Sequence, residues 1–272
     1  MANSWRLIIT PPTSGAFNMA LDEALLITTS KKCVLPALRL YSWNPPTLSL
    51  GYAQSINEVD MNTLARLGWD LVRRATGGRA ILHTDELTYS ITAPLDDPVV
   101  QGTLLESYQR ISAAMLLALS YLDIPADAKK VYDIAQGNEK EPVCFEVPSN
   151  FEITVSGKKL IGSAQARKKG GVLQHGSLPL CGDLTRITQV LSYPDEQKRV
   201  AGISRLLDHA GTILSLTGKI VSLGDAQSAF IAAFAEEFDL NFQQTDPSDE
   251  ENALTRELMF TKYGSIEWNH RK

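Results

Sequence analysis

"FEITVSGKKLIGSAQARKKGGVLQHGSLPL", Phe151 to Leu180, is the stretch on which the fold turns. "FEITVSG" and "KLIGSAQAR" carry β-branched and apolar residues in near alternation and meet at Gly157, which predicts a hairpin. A third strand-like run, "GVLQHGSLPL", follows directly. Upstream, "PALRLYSW" (36–43) and "TLSLGYA" (47–53) flank the turn signal "NPP" and predict a second pair of strands. "MANSWRLIITPP" reads as a first strand, and "ELTYSITAP" (86–94) as another ended by proline. Helices are predicted over "GAFNMALDEALLITTS" (15–30), whose stripe of Phe17, Met19, Ala20, Leu21, Ala24 and Leu25 leaves Asp22 and Glu23 on the other side. "LLESYQRISAAMLLALSYLDI" (104–124) is the strongest helix, and "NTLARLGWDLVRR" (62–74) is a short helix running into a strand. "DLTRITQVL" (183–191), "AQSAFIAAFAEEF" (226–238) and a charged terminal segment from Pro247 complete the helices. Residues 129–142 turn polar and read as a loop. Strands interspersed with helices, with two hairpins, point to an α+β fold around a mixed, largely antiparallel sheet flanked by helices. The expected organisation is a single catalytic domain over 1–272, with about 240–272 as a C-terminal helical tail.

The 272 residues are 44% hydrophobic and 21% charged, ordinary values for a globular chain with a real core. No apolar run reaches the roughly 20 residues that span a bilayer, and the N-terminus lacks the pattern of a secretory signal. Membrane partners are therefore not expected. The net charge of −5 argues against a general nucleic-acid binder. Cys33, Cys144 and Cys181 are too few and too irregular for a disulfide framework or a zinc site, so no metal is expected, and a reducing cytoplasm is the simplest setting. Basic residues bunch in two places: Arg73, Arg74 and Arg79, then Arg167, Lys168 and Lys169. Such patches suit an acidic or phosphate-bearing partner, and a solvated loop equally.

"RRATGGRAILHTDELTYSI" (73–91) is the first candidate site. Gly77 and Gly78 let backbone N–H groups approach a ligand oxygen, and arginine offers a fixed fork for oxyanions. The spacing is neither a P-loop nor a dinucleotide fingerprint, and a tight turn with exposed arginines fits as well. His83 alone reads as a hydrogen-bonded structural histidine. Cys144 follows the polar loop, where reactive groups are often placed, although a strand-edge cysteine is common. Cys33 and Cys181 read as small hydrophobes. Alternation points one of Lys158 and Lys159 inward without selecting which.

"RRATGGRAILH" followed by "GKKLIGSAQARKKGGVLQHGSL" (157–178) resembles the biotin/lipoate protein ligase and octanoyltransferase superfamily. "FNMALDEALL", "LSLGYAQ" and "KYGSIEWN" extend the resemblance over nearly the whole chain. ATP-dependent lipoate ligases of the superfamily usually carry a third glycine where Arg79 stands, and many need an additional C-terminal domain or subunit. "TGGR", "ELTYS" and "CFEVPS" (144–149) are more similar to the cysteine-dependent octanoyltransferases of the LipM type.

That resemblance implies transfer of octanoyl from an acyl carrier protein, through a thioester on Cys144, to a lysine of a lipoyl domain or of the glycine cleavage H protein. An activated donor needs no ATP and no other cofactor. The match to Gly-x-Lys-x-x-Gly-Ser-Ala selects Lys159, which favours the thiolate and neutralises an oxyanion. It implies a ligand-binding set of Arg73, Arg74, Thr76, Gly77, Gly78, Arg79, His83, Gly162, Ser163, Ala164, His175 and Gly176. His175 invites a Cys-His dyad, but the resemblance gives it a supporting place in the acyl pocket. Burial at roughly 0.8 kcal/mol per methylene would hold an eight-carbon tail. The basic triplet Arg167–Lys169 is a candidate docking patch for an acidic carrier. An ATP-dependent ligase, an amidotransferase between lipoyl proteins and a non-catalytic lipoyl-domain binder are the rival readings. A cysteine hydrolase would call for a Cys-Gly-x-Cys-Trp-like signature, which the chain lacks.

Overall fold

The computed structural model describes residues 3–130 and 151–271. Its strands are β1 (Asn3–Ile9), β2 (Ala37–Tyr41), β3 (Thr47–Leu50), β4 (Asp70–Arg73), β5 (Ile81–His83), β6 (Glu86–Pro94), β7 (Ala126–Lys130), β8 (Phe151–Val155), β9 (Lys158–Lys168), β10 (Gly171–Pro179) and β11 (Leu240–Gln244). The helices are α1 (Gly15–Ser30), α2 (Met61–Arg66), α3 (Leu104–Tyr121), α4 (Glu196–His209), α5 (Ile213–Thr217), α6 (Leu223–Phe238), α7 (Asp249–Leu258) and α8 (Ile266–Asn269). Eight strands form one sheet in the order β11-β1-β2-β6-β10-β9-β8-β7, and β4-β3-β5 form a second. In the large sheet, β11, β1 and β2 run parallel and every other neighbouring pair is antiparallel. The α+β fold with a largely antiparallel sheet is what the alternation predicts.

Strand alternation gives the large sheet two different faces. Leu38 and Leu40 of β2, Leu87, Tyr89, Ile91 and Ala93 of β6, and Val172 and Leu178 of β10 enter the main core. That core is closed by α3 and α6, which contribute Ile111, Met115, Leu119, Phe230 and Phe234. A capping box between Thr103 and Glu106 starts α3, each side chain satisfying the other residue's backbone N–H. The intervening residues, Arg39, Tyr41, Glu86, Thr88, Ser90, His175 and Ser177, are polar, buried and on the opposite face. Cross-strand register lines them up: Arg39 and His175 both sit opposite Ser90, and Tyr41 and Ser177 both sit opposite Thr88. A buried polar sheet face is costly unless its groups are paired, so this is where a site is expected.

Several expectations are corrected. β2 and β3 do not pair; they belong to different sheets. Pro45 and Pro46 have no N–H for a ladder, and the chain leaves the large sheet there. Asp22 and Glu23 do not face solvent: α1 is buried on most of its circumference, and both carboxylates are inside with cationic partners. Residues 184–189 form a 3-10 turn instead of an α-helix. The loop expected over 129–142 begins as the end of β7, and its residues 131–142 lie outside the described residues, which end at 130 and resume at 151. Among the described residues, no helix is long and apolar enough to cross a membrane.

Candidate active site

A narrow cleft lies between the polar face of the large sheet and β5, with Met19 of α1 also lining it. Gly162, Ser163 and Ala164 of β9 and His175, Gly176 and Ser177 of β10 line it together with Tyr41, Trp43, Ile81 and His83. Small residues here leave room for a linear chain. Gly176 is required by packing: a Cβ there would sit 2.6 Å from Tyr89 Cε1, 2.7 Å from Ser163 Oγ and 2.8 Å from the Gly162 carbonyl.

The polar atoms of these walls are satisfied by one another. Glu86 accepts from His83 Nδ1 (2.6 Å), Thr88 Oγ1 (2.6 Å) and Ser177 Oγ (2.5 Å). Trp43 Nε1 donates to Thr88 Oγ1 (2.7 Å), and its ring stacks on His83 with centroids 4.0 Å apart. Ser49 Oγ lies 2.7 Å from His83 Nε2 and accepts from Arg74 Nη1 (2.6 Å). Burial alone would raise the Glu86 carboxyl; His83 and the two hydroxyl donors outweigh it and hold the group below the usual carboxylate range. With these atoms turned into the wall, what they leave toward the cleft is largely carbon, the lining an alkyl tail needs.

A second network crosses the same face. Asp22 receives Arg39 Nη1 (2.8 Å), Ser90 Oγ (2.8 Å) and Tyr41 OH (2.9 Å), and lies 3.3 Å from His175 Nδ1. His175 Nε2 is 2.7 Å from Thr76 Oγ1. Burial pushes the His175 imidazole below its ordinary pKa, against the pull of Asp22. Desolvation works against the Asp22 carboxylate, but Arg39 and His175 keep it below the usual range. Sequence reading missed Asp22, Glu86 and Arg39. Their signal was available as charge within otherwise apolar segments: Asp22 on helix α1, Arg39 on β2 and Glu86 on β6.

Lys159 reaches this face through a β-bulge. The register between β8 and β9 slips by one residue between Ile153–Ile161 and Thr154–Lys159. Leu160 and Ile161 both enter the main core, so Lys159 falls on the same side as Gly162 and Ala164. Its ammonium is 3.0 Å from Glu152 Oε1, with 4% of the side chain exposed. Cys144 lies outside the described residues.

The arginine segment divides. Arg74 holds the turn from within, donating to Gly77 O (3.2 Å) and Arg79 O (2.9 Å). Arg73 is committed to main-chain carbonyls of Gly51, Tyr52, Gln54, Trp268, Asn269 and Arg271, and so clasps the C-terminal segment instead of facing the cleft. Arg79 lies 3.7 Å from Glu58. Gly77 and Gly78 are exposed at the tip of the turn, and Gly78 has φ +92°. The basic triplet also divides. Arg167 binds the carbonyls of Val100, Gly102 and Thr103, whereas Lys168 donates to Ala75 O (3.0 Å) beside the turn and Lys169 pairs with Glu23 (3.1 Å). Cys33 and Cys181 are exposed, not packed as small hydrophobes.

Residues 14–235 match the lipoyl protein ligase A/B catalytic domain. The chain is 41% identical over 272 residues to octanoyltransferase LipM of Carboxydothermus hydrogenoformans, covering 98% of this chain and 99% of that one. It is 38% identical over 276 residues to octanoyltransferase LipM of Bacillus subtilis, covering 99% of each. Its fold superposes on a bipartite lipoate protein ligase from Thermoplasma acidophilum with a TM-score of 0.81 at 26% identity, covering 99% and 98% of the two chains. A lipoate-protein ligase A bound with ATP gives 0.79 at 26% identity, covering 99% of each.

Proposed function

The chain belongs to the lipoyl protein ligase A/B catalytic domain family, and from that membership we propose an octanoyltransferase of lipoate biosynthesis that works through a thioester on Cys144. The donor is an octanoyl thioester on an acyl carrier protein; the acceptor is a lysine of a lipoyl domain or of the glycine cleavage H protein. The full 272 residues act as one catalytic domain; the helical tail expected over about 240–272 is corrected at its start, where residues 240–244 form the edge strand β11 of the large sheet and the helices begin at Asp249.

In the first half-reaction the Cys144 thiolate attacks the thioester carbonyl, the carrier thiolate leaves and takes up a proton, and octanoyl remains on sulfur. In the second, the acceptor amine attacks, loses its proton and releases the Cys144 thiolate. Two bulky proteins thus visit in turn. Lys159 favours the thiolate over the thiol, whose reference pKa is near 8.5, and balances the oxyanion of each tetrahedral intermediate. Glu152 holds that ammonium in place. The amides of Gly77 and Gly78 offer a second set of donors to the same oxyanion.

The observation that carries the reading is the placement of Lys159: a bulge turns a buried lysine onto the face that also holds the carbon-lined cleft. Arg79, standing where ligases usually have a third glycine, supports transferase over ligase. Lys168, Lys262 and Arg271, gathered around the rings of Tyr52 and Trp268 beside the glycine turn, offer a cationic rim to an acidic donor.

The test is transfer from octanoyl-carrier protein to an apo lipoyl domain without ATP. Wild type is expected to modify the acceptor lysine and Cys144→Ala is not. Equal transfer by both would remove the thioester step. Strict dependence on ATP and free lipoate would establish the ligase reading.

A further inference from the structure

Asp22, His175 and Thr76 form a hydrogen-bonded line across the buried polar face that the two half-reactions do not themselves use. All three are buried, at 0%, 5% and 1% exposure. Asp22, fixed by Arg39, Tyr41 and Ser90, accepts from Nδ1 of His175 at 3.3 Å. A carboxylate on Nδ1 keeps the ring proton there, so Nε2 is the acceptor and the Thr76 hydroxyl donates to it at 2.7 Å.

Thr76 is the first residue of the glycine turn. Its carbonyl accepts from the Tyr52 N–H (2.9 Å), and the Gly77 carbonyl accepts from Arg74 (3.2 Å). In a planar trans peptide the N–H points opposite to the preceding carbonyl. With the carbonyls of Thr76 and Gly77 drawn inward, the N–H groups of Gly77 and Gly78 are turned outward. A Cβ built on Gly77 would meet nothing within 4 Å, whereas one on Gly51 would strike Gly78 O at 1.8 Å. The turn is therefore seated hard on one side and open on the other.

We propose that the Asp22–His175–Thr76 line positions the Gly77 and Gly78 amides as the oxyanion donors of the acyl transfer. This rests on the transferase reading. The three are positioning residues and act through the turn. The charged or titratable groups facing His175 are Asp22 from α1, Arg74 and His83 from the side of the small sheet, and, through Asp22, Arg39 and Tyr41 of β2. Burial sets the direction, with Asp22 opposing and Arg74 and His83 adding to it, so the neutral ring that accepts from Thr76 is favoured at neutral pH.

The experiment compares wild type, Thr76→Val and Thr76→Ser in acyl-enzyme formation at neutral pH. Thr76→Val keeps the shape and loses the hydroxyl. It is expected to lower kcat about tenfold, with KM for the octanoyl donor within about twofold, because misplaced donors cost rate more than binding. Thr76→Ser should restore the rate. A wild-type rate in Thr76→Val overturns the proposal. Side-chain nitrogen NMR of His175 reads the line without any substrate. The Nδ1–H tautomer, with an Nε2 shift that changes in Thr76→Val, is expected, and an Nε2–H tautomer overturns it. If wild type is never acylated, the transferase reading fails and the role of the turn with it, while the NMR signature still decides whether the line exists.

Discussion

Lys159 and Gly176 show what single residues contribute. In the proposed mechanism Lys159 is the cation that favours the Cys144 thiolate, so in Lys159→Met the thiol should return toward the reference value near 8.5. Alkylation of Cys144 against pH would show this as a midpoint moved upward, with thioester formation at pH 7 slowed by about a hundredfold. An unchanged midpoint would separate Lys159 from the thiol. Gly176→Ala drives a Cβ into the Gly162 carbonyl and the Tyr89 ring. Overpacking of this kind costs about 1–3 kcal/mol, read as a lower urea midpoint with unchanged slope. Lys159 and Gly176 were legible from the sequence only through the motif around them; alternation could not choose between Lys158 and Lys159, because the bulge at Leu160 resets the face and leaves no mark in composition. Asp22 was misread for a related reason. A helix buried against both a sheet and α7 has no solvent side to which its carboxylates can be assigned.

At the scale of elements, α1 is the hub. Glu251 of α7, 0% exposed, accepts two bonds from Arg6 of β1 (2.8 and 2.9 Å) and one from Thr28 of α1 (2.7 Å). Breaking a buried pair by removing one charge leaves the other stranded, so Glu251→Gln should cost about 3 kcal/mol in equilibrium unfolding. Glu23 of α1 likewise takes Tyr263 OH (2.6 Å), Lys262 and Lys169. Burial alone would raise both carboxyls, but these partners hold them below the ordinary glutamate value of 4.5. A folded pKa below the unfolded one means stability that is present above about 4.5 and lost as pH falls through the folded value. Urea midpoints should therefore drop below pH 4.5, and less steeply in Glu251→Gln, which has one such carboxylate fewer. An identical slope in the two proteins would show that Glu251 does not couple to acid unfolding. Most helices and strands were legible as periodic runs, yet β11 and α4 were not. β11 is edge strand with polar outward residues, and α4 is amphipathic with few buried side chains, so neither left a strong apolar period.

The whole molecule joins two sheets across a cleft, and the polar face of the larger one is where charge, burial and function coincide. The α+β class followed from the hairpin at Gly157 and the alternation of "ELTYSITAP". The assignment of β2 and β3 to separate sheets did not, since pairing partners are set by long-range packing and not by a turn signal. Likewise, the sequence brought Cys144 and Lys159 fifteen positions apart, while the register slip that aims Lys159 exists only in the folded sheet. The account stands on a covalent intermediate formed without nucleotide. Its most direct test is intact mass and peptide mapping of the protein after incubation with octanoyl-carrier protein and no ATP. The predicted result is one octanoyl group on Cys144, discharged when an apo lipoyl domain is added. An unmodified Cys144 alongside an acceptor that is nevertheless octanoylated would contradict it.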